Sequence, residues 1–317
     1  MLPRRTLLGG GLILAACRLG APAPTRPAQP QEAARPVAPG IPPIGSRPHP
    51  RTGEHLPVLG LGDWPSAPSA GVFTDPAQEG DALAALLAGG GRMVDISDAG
   101  AEVERAAGEL LAAGGVVQEA FLAARVRVPG RREGQLQMER TLQRVGRRRI
   151  DLMQVHELTD FTTHVDTLRR WRAVGHARYI GATITSHDDL PTLERELPTA
   201  RLDMVQLPHS IFSRAAEERL FSLAVEHDVA VLIAQPFGDP ERIAAVRQRP
   251  LPALAEELDC VSWEQLLLKW ILAHPAVGCV LLSTKDVLGA GDPMHAGKGP
   301  MPNETQRRRL QALVEQA

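Results

Sequence analysis

The stretch Arg149-Ile150-Asp151-Leu152-Met153-Gln154-Val155-His156 decides how the rest of the chain is read. It is a short β-rich apolar run ending on a histidine, with a helical pattern before it over 133–146 and another after it over 162–174. The same alternation extends in both directions. Candidate strands fall at 56–61, 92–96, 120–126, 150–156, 178–183, 202–207, 229–234 and 277–282. Helical patterns fill 81–89, 102–113, 187–196, 214–227 and 262–273, with a last one over 303–316. Repeated βα units imply parallel strands covered on both faces, which suits continuous apolar runs such as Val229-Ala-Val-Leu-Ile-Ala234. Eight such units in about 265 residues predict an α/β fold of the (β/α)8 TIM-barrel type. A doubly wound open sheet is the alternative, but no Gly-x-Gly-x-x-Gly opens a helix after the first strand.

In a barrel, chemistry belongs at the C-terminal ends of the strands. Those ends carry Asp95, Arg125, His156 with Glu157, Thr183, Gln206 with His209, Gln235, and the run Ser283-Thr284-Lys285. Composition narrows what they can do. The chain has 317 residues, 44% of them apolar, enough for one large domain. A net charge of −2 supplies no basic field, which argues against a nucleic-acid partner. Tyrosine occurs once, at Tyr179, and lysine only at Lys269, Lys285 and Lys298. Counting alone excludes a mechanism that needs a tyrosine acid beside a lysine in the first half of the chain.

The N-terminus reads as an address. Arg4-Arg5-Thr6-Leu7-Leu8 precedes a short apolar run over 9–16 and then Cys17. A charged start, a short apolar region and small residues before a cut site describe an export signal, too short to span a membrane. The first segment resembles a twin-arginine motif, and Leu14-Ala15-Ala16-Cys17 resembles a bacterial lipobox with Cys17 as the acylated residue. The expectation is an exported lipoprotein of the periplasm or cell envelope, held to a membrane through Cys17. Ten prolines between Pro22 and Pro50 make 18–50 a flexible tether. The organisation expected is therefore signal 1–17, tether 18–50 and barrel 51–317. Cys260 and Cys279 read as buried thiols, and no Cys/His cluster has the spacing of a zinc site.

Several segments together resemble the aldo/keto reductase family from about Leu56 to the C-terminus. They are Leu59-Gly-Leu-Gly-Asp-Trp64, Arg149 to His156, Ala177-Arg-Tyr-Ile-Gly181, Asp203-Met-Val-Gln206, Pro236-Phe237-Gly238 and Gln265-Leu-Leu-Leu-Lys-Trp-Ile-Leu-Ala-His-Pro275. The resemblance implies a (β/α)8 barrel whose ancestral reaction is NADPH-dependent reduction of a small carbonyl compound. It also implies a tetrad of Asp, Tyr, Lys and His, with the tyrosine hydroxyl protonating the developing alkoxide. Asp95 and His156 match that tetrad. Asp95-Ile-Ser-Asp-Ala-Gly100-Ala-Glu-Val-Glu104 places Gly100 where the family has tyrosine, and Ala123-Ala-Arg125-Val126 places Arg125 where it has lysine. Glycine has no proton to donate, and proton transfer by a placed side chain contributes about 10²–10⁴-fold. Arginine keeps its charge but never gives up its proton.

The resemblance also assigns the NADP(H) side. Thr183 and Gln206 fall against the nicotinamide carboxamide, and Ile184 replaces the usual amide. His209 stands for the aromatic that stacks on the nicotinamide ring. Phe237 and Gly238 follow the seventh barrel strand, Ser283, Thr284 and Lys285 form a phosphate loop, and Asp292 with Pro293 falls at the adenine end. Three functions remain open: a non-catalytic barrel that binds a ligand or partner, an active oxidoreductase using His156 or water as proton donor, and another reaction run by His156, Asp95 and Arg125. His156, Glu157 and Asp95 have no spacing that identifies a metal. The run Arg147-Arg148-Arg149 reads as a solvated helix end. His49, His55, His164, His176, His187, His227, His274 and His295 read as surface or loop residues.

Overall fold

In the computed structural model the described residues are 45–62, 76–96, 100–113, 115, 120–289 and 292–316. The predicted signal 1–17 with Cys17, and the tether as far as residue 44, lie outside them. So do Asp63, Trp64 and residues 97–99. The chain divides at Pro36/Val37, and every described residue belongs to the second unit.

A short antiparallel hairpin comes first, β1 (Ser46–Pro48) and β2 (His55–Pro57). The elements that follow are β3 (Leu59–Leu61), α1 (Pro76–Ala88), β4 (Met93–Asp95), α2 (Gly100–Ala113), β5 (Phe121–Val126) and α3 (Arg131–Arg144). Then come β6 (Ile150–His156), α4 (Phe161–Ala173), β7 (Ala177–Thr183), α5 (Leu190–Ala200), β8 (Met204–Pro208), α6 (Ala215–Glu218) and α7 (Leu220–Glu226). The chain ends with β9 (Ala230–Ala234), α8 (Pro240–Arg247), α9 (Leu254–Glu257), α10 (Trp263–Leu272), β10 (Val277–Leu282), α11 (Thr284–Leu288) and α12 (Glu304–Glu315). Strands β3 to β10 are all parallel and close on themselves, β10 pairing with both β9 and β3. The expected (β/α)8 barrel is the fold.

Period-2 alternation sorts the strand residues into two cores. Met93, Phe121, Leu152, Tyr179, Met204, Leu232 and Leu281 point into the barrel. Val94, Leu122, Met153, Ile180, Val205 and Val280 point outward into the helical shell. Gly60 has no side chain for a physical reason: a Cβ there would lie 2.9 Å from Leu281 and from the Met93 carbonyl.

The sequence reading is corrected at the N-terminal end of the folded body. Residues 46–48, assigned to the tether, form β1, so the body begins by residue 45. The prolines fit because a two-stranded ribbon has free edges. The candidate strand 56–61 splits at Val58, so only its second half enters the barrel while its first half pairs with β1. The hairpin covers the N-terminal end of the barrel, and Leu56 joins the inward core. It is held by Arg47, whose guanidinium donates to the carbonyls of Leu272, His274 and Val277, and by Arg51, which pairs with Asp203 at 2.8 Å. His49 is buried here, stacked on Tyr179 at 4.8 Å, rather than at the surface. Tyr179 donates its hydroxyl to Glu54 at 2.5 Å, at the end of the barrel opposite the candidate site.

Three further readings change. His164 is fully buried in α4 and bonds the Val128 carbonyl at 2.7 Å. Arg147 is an anchor rather than a solvated charge, reaching Asp151 at 2.8 Å and the Ala120 carbonyl. The helix over 214–227 breaks at Arg219, whose φ of −144° leaves the helical region between α6 and α7. Among the described residues, no helix is long and apolar enough to cross a membrane.

Candidate functional site

The C-terminal ends of the strands bring together the residues that the sequence nominates. Asp95 ends β4, Arg125 lies on β5, Gln206 on β8, and all three are buried. Arg125 Nη2 donates to Asp95 Oδ2 at 2.7 Å, and Gln206 Nε2 donates to the same oxygen at 2.9 Å. Gln154 of β6, fully buried, donates to Gln206 Oε1 at 2.9 Å. The result is a buried chain, Gln154 to Gln206 to Asp95, closed by Arg125. Gln154 was not nominated from sequence. Its signal was present, because Leu152, Gln154 and His156 share the inward face of β6.

His156 ends β6 in register with Thr183, which is in register with Gln206. Its side chain is 16% exposed, with Nε2 3.7 Å from Glu157 Oε2. Glu157 accepts a hydrogen bond from Thr185 Oγ1 at 2.5 Å. The backbone that presents this carboxylate is strained: Glu157, Leu158 and Asp160 have φ of 46°, 53° and 44°. Left-handed non-glycine residues persist only where the surroundings hold them, commonly at ligand-binding edges. Thr183 is buried and its hydroxyl has no partner among the described residues.

The nicotinamide assignment is corrected at His209. Gln206 and Pro208 point inward on β8, so the next residue turns outward. His209 lies in the shell, 5.7 Å from the Trp270 ring and edge-on to Phe221 at 4.9 Å. Burial lowers its pKa, with Glu217 offsetting part of that. Pro208 takes the inward place and lines a cavity of about 40 Å³ together with Arg125, Thr185, Gln206 and Gln235. That is room for one or two waters. Of the residues assigned to nicotinamide, His209 therefore faces away and Ile184 offers no amide.

A larger cavity of about 710 Å³ lies beside this one, between the loop after β9 and the start of α11. Phe237, Gly238, Ser283 and Lys285 line it, and Gln235 lines both cavities. Gly238 has φ of +60°, and a Cβ there would meet Ser210 Oγ at 2.5 Å. Two assigned residues stand apart. Thr284 is buried with its hydroxyl unpaired among the described residues, and Asp292 sits at the head of a 3-10 turn, its carbonyl accepting from Gln265. Gly100 opens α2. Glu104 is structural, tying α2 to α3 through Thr141 and Arg144. Among the described residues, no three His, Cys, Asp or Glu side chains are placed to hold a metal ion.

The family model for the aldo/keto reductases matches residues 58–308. The chain belongs to the aldo/keto reductase family. No curated protein matches it in sequence. Solved aldo/keto reductases share its fold at low identity. The holo form of AKR11C1 from Bacillus halodurans is 21% identical over 86% of this chain and 97% of that one, with a TM-score of 0.68. An aldo/keto reductase from Klebsiella pneumoniae in complex with NADP and acetate is 20% identical over 83% and 93%, with a TM-score of 0.65. Another from Klebsiella pneumoniae, in complex with NADPH, is 18% identical over 86% and 95%, with a TM-score of 0.66. In this aldo/keto reductase barrel Asp95, Arg125 and His156 stand at C-terminal strand ends, and Gly100 opens α2.

Proposed function

We propose that this aldo/keto reductase barrel does not transfer hydride and instead binds a small organic ligand at its C-terminal mouth. The observation that carries this reading is the buried Arg125–Asp95 pair at 2.7 Å. Arginine cannot act as an acid, and here it is locked to the carboxylate that would otherwise hold a lysine. Gly100 contributes no hydroxyl. His156 is the remaining candidate donor, and it sits beside Glu157. The poor fit of the nicotinamide residues supports the same conclusion, so tight NADP(H) binding is not part of the proposed activity. The N-terminal motifs support an exported protein lipid-anchored at Cys17, in which the barrel would present its ligand site at the cell envelope.

The test is a screen of aldehydes and ketones for NADPH oxidation by the purified full chain and by Gly100→Tyr/Arg125→Lys. Both proteins should stay inactive, the double variant because restoring the proton donor does not restore the nicotinamide site. Turnover by the wild-type chain would overturn the proposal.

A further inference from the structure

The 710 Å³ cavity is of a size typical for small-molecule sites. Its walls have two characters. Phe237 and Ile243 give an apolar face, while Arg247 and Glu264 form an ion pair at 2.5 Å on one side. On the other side stand Lys285 and Asp286. Lys285 is exposed and makes no ion pair among the described residues.

Asp286 is committed. Its Oδ2 accepts the Ser283 backbone N–H at 3.0 Å and the Ser283 hydroxyl at 2.7 Å, and its own N–H returns to Ser283 Oγ at 3.2 Å. This is a capping box, and it has a consequence beyond the start of α11. The backbone and side-chain donors of Ser283 already serve an anion, and that anion belongs to the protein. A ligand phosphate reaching Ser283 would have to expel the carboxylate or lie against it, and like charges in contact oppose one another. The four charged side chains on the wall, Arg247, Glu264, Lys285 and Asp286, also sum to zero, leaving no net attraction for an anion.

We propose that Asp286 is the specificity-determining residue of this cavity: it fills the anion position of the loop after β10, so the site takes a phosphate-free, net-uncharged ligand with an apolar face and rejects phosphorylated ligands of equal size. The inference rests on reading the mouth as a binding site. Neutralising Asp286 would leave Lys285 uncompensated and remove the negative charge beside the Ser283 donors, turning the same cavity into one that accepts phosphate.

Isothermal calorimetry on the full chain tests this, with adenosine 2′,5′-bisphosphate and adenosine as probes that differ only in their phosphates. Asp286→Asn keeps an acceptor for Ser283 at the same size, and Asp286→Ser serves as a second variant, with thermal melts reporting that each is folded. Wild type should bind the bisphosphate at least 10-fold more weakly than adenosine. Both variants should gain at least 10-fold for the bisphosphate and change little for adenosine. The inference is overturned if wild type already prefers the bisphosphate, or if neither folded variant gains affinity for it. Calorimetry reads no hydride transfer, so preferential bisphosphate binding by wild type without aldehyde turnover would sink this inference and leave the non-catalytic reading standing.

Discussion

Arg125 Nη2 lies 2.7 Å from Asp95 Oδ2, with side-chain exposures of 3% and 1%. A pair this dry is held together by what each partner would suffer alone. Removing one ion from a buried pair strands the other, at about 3–5 kcal/mol. Arg125→Met should therefore destabilise the barrel by about that amount in urea unfolding, since it leaves the buried Asp95 carboxylate without the guanidinium charge. Adding Asp95→Asn should recover most of the loss, because the charge left stranded is then gone. Additive losses in the double variant would mean that the pair is not coupled.

How much of this was legible beforehand follows from which forces are local. The barrel was readable because eight strands and their helices each carry their own periodicity. Asp95, Arg125 and Gln206 were readable as a group because closed βα topology gathers strand ends. His209 was misplaced because the resemblance sets it against the nicotinamide ring, while the period of two puts Pro208 inward and His209 outward. His49 and His164 read as surface residues because their partners, Tyr179 and the Val128 carbonyl, are distant in sequence. Asp286 was passed over because a helix cap and the edge of a binding cavity look alike in one dimension.

Acid should weaken the attachment of α12. His274 packs on Phe221 at 4.7 Å, and burial, with Arg307 nearby, lowers its pKa to about 4. His209 is lowered in the same direction by burial. Unfolded histidine titrates near about 6.5, so below that pH the unfolded chain binds more protons and stability falls. Burial alone would raise Glu217, but His209 and Arg307 outweigh it and bring it to about 2. Its contribution is complete above the ordinary carboxylate range and is lost as pH falls towards about 2. Urea midpoints should thus be flat above pH 7, drop between about 6.5 and 4, and drop further below about 4.5. His274→Gln should flatten the upper part of that slope and leave the lower part in place.

The two described cysteines should be inert in the folded protein. Cys260 and Cys279 are both buried and unpaired with each other. Burial pushes the Cys260 thiol up to about 11 and the Cys279 thiol higher still. The thiolate is the reactive form, and almost none exists at neutral pH. Iodoacetamide at pH 8 should leave both peptides unmodified by mass spectrometry, and 6 M urea should expose both. Rapid labelling of Cys260 in the native chain would contradict the buried position at the start of the segment leading into α10.

Gly238 should resist replacement for two separable reasons. Its φ of +60° disfavours any residue with a Cβ, at roughly 1–2 kcal/mol. The added methyl would also lie 2.5 Å from Ser210 Oγ. Gly238→Ala should therefore lower the melting temperature and distort the wall of the 710 Å³ cavity. Ser210→Ala separates the two effects. In the wild-type background it removes the hydroxyl that accepts the Phe212 N–H at 3.2 Å, so it should destabilise. In the Gly238→Ala background it removes the 2.5 Å collision and leaves a 3.2 Å approach to the Ser210 Cβ, so the same change should stabilise. Thermal melts of the four proteins would show that reversal of sign, and a Ser210→Ala effect of the same sign in both backgrounds would remove the collision from the account.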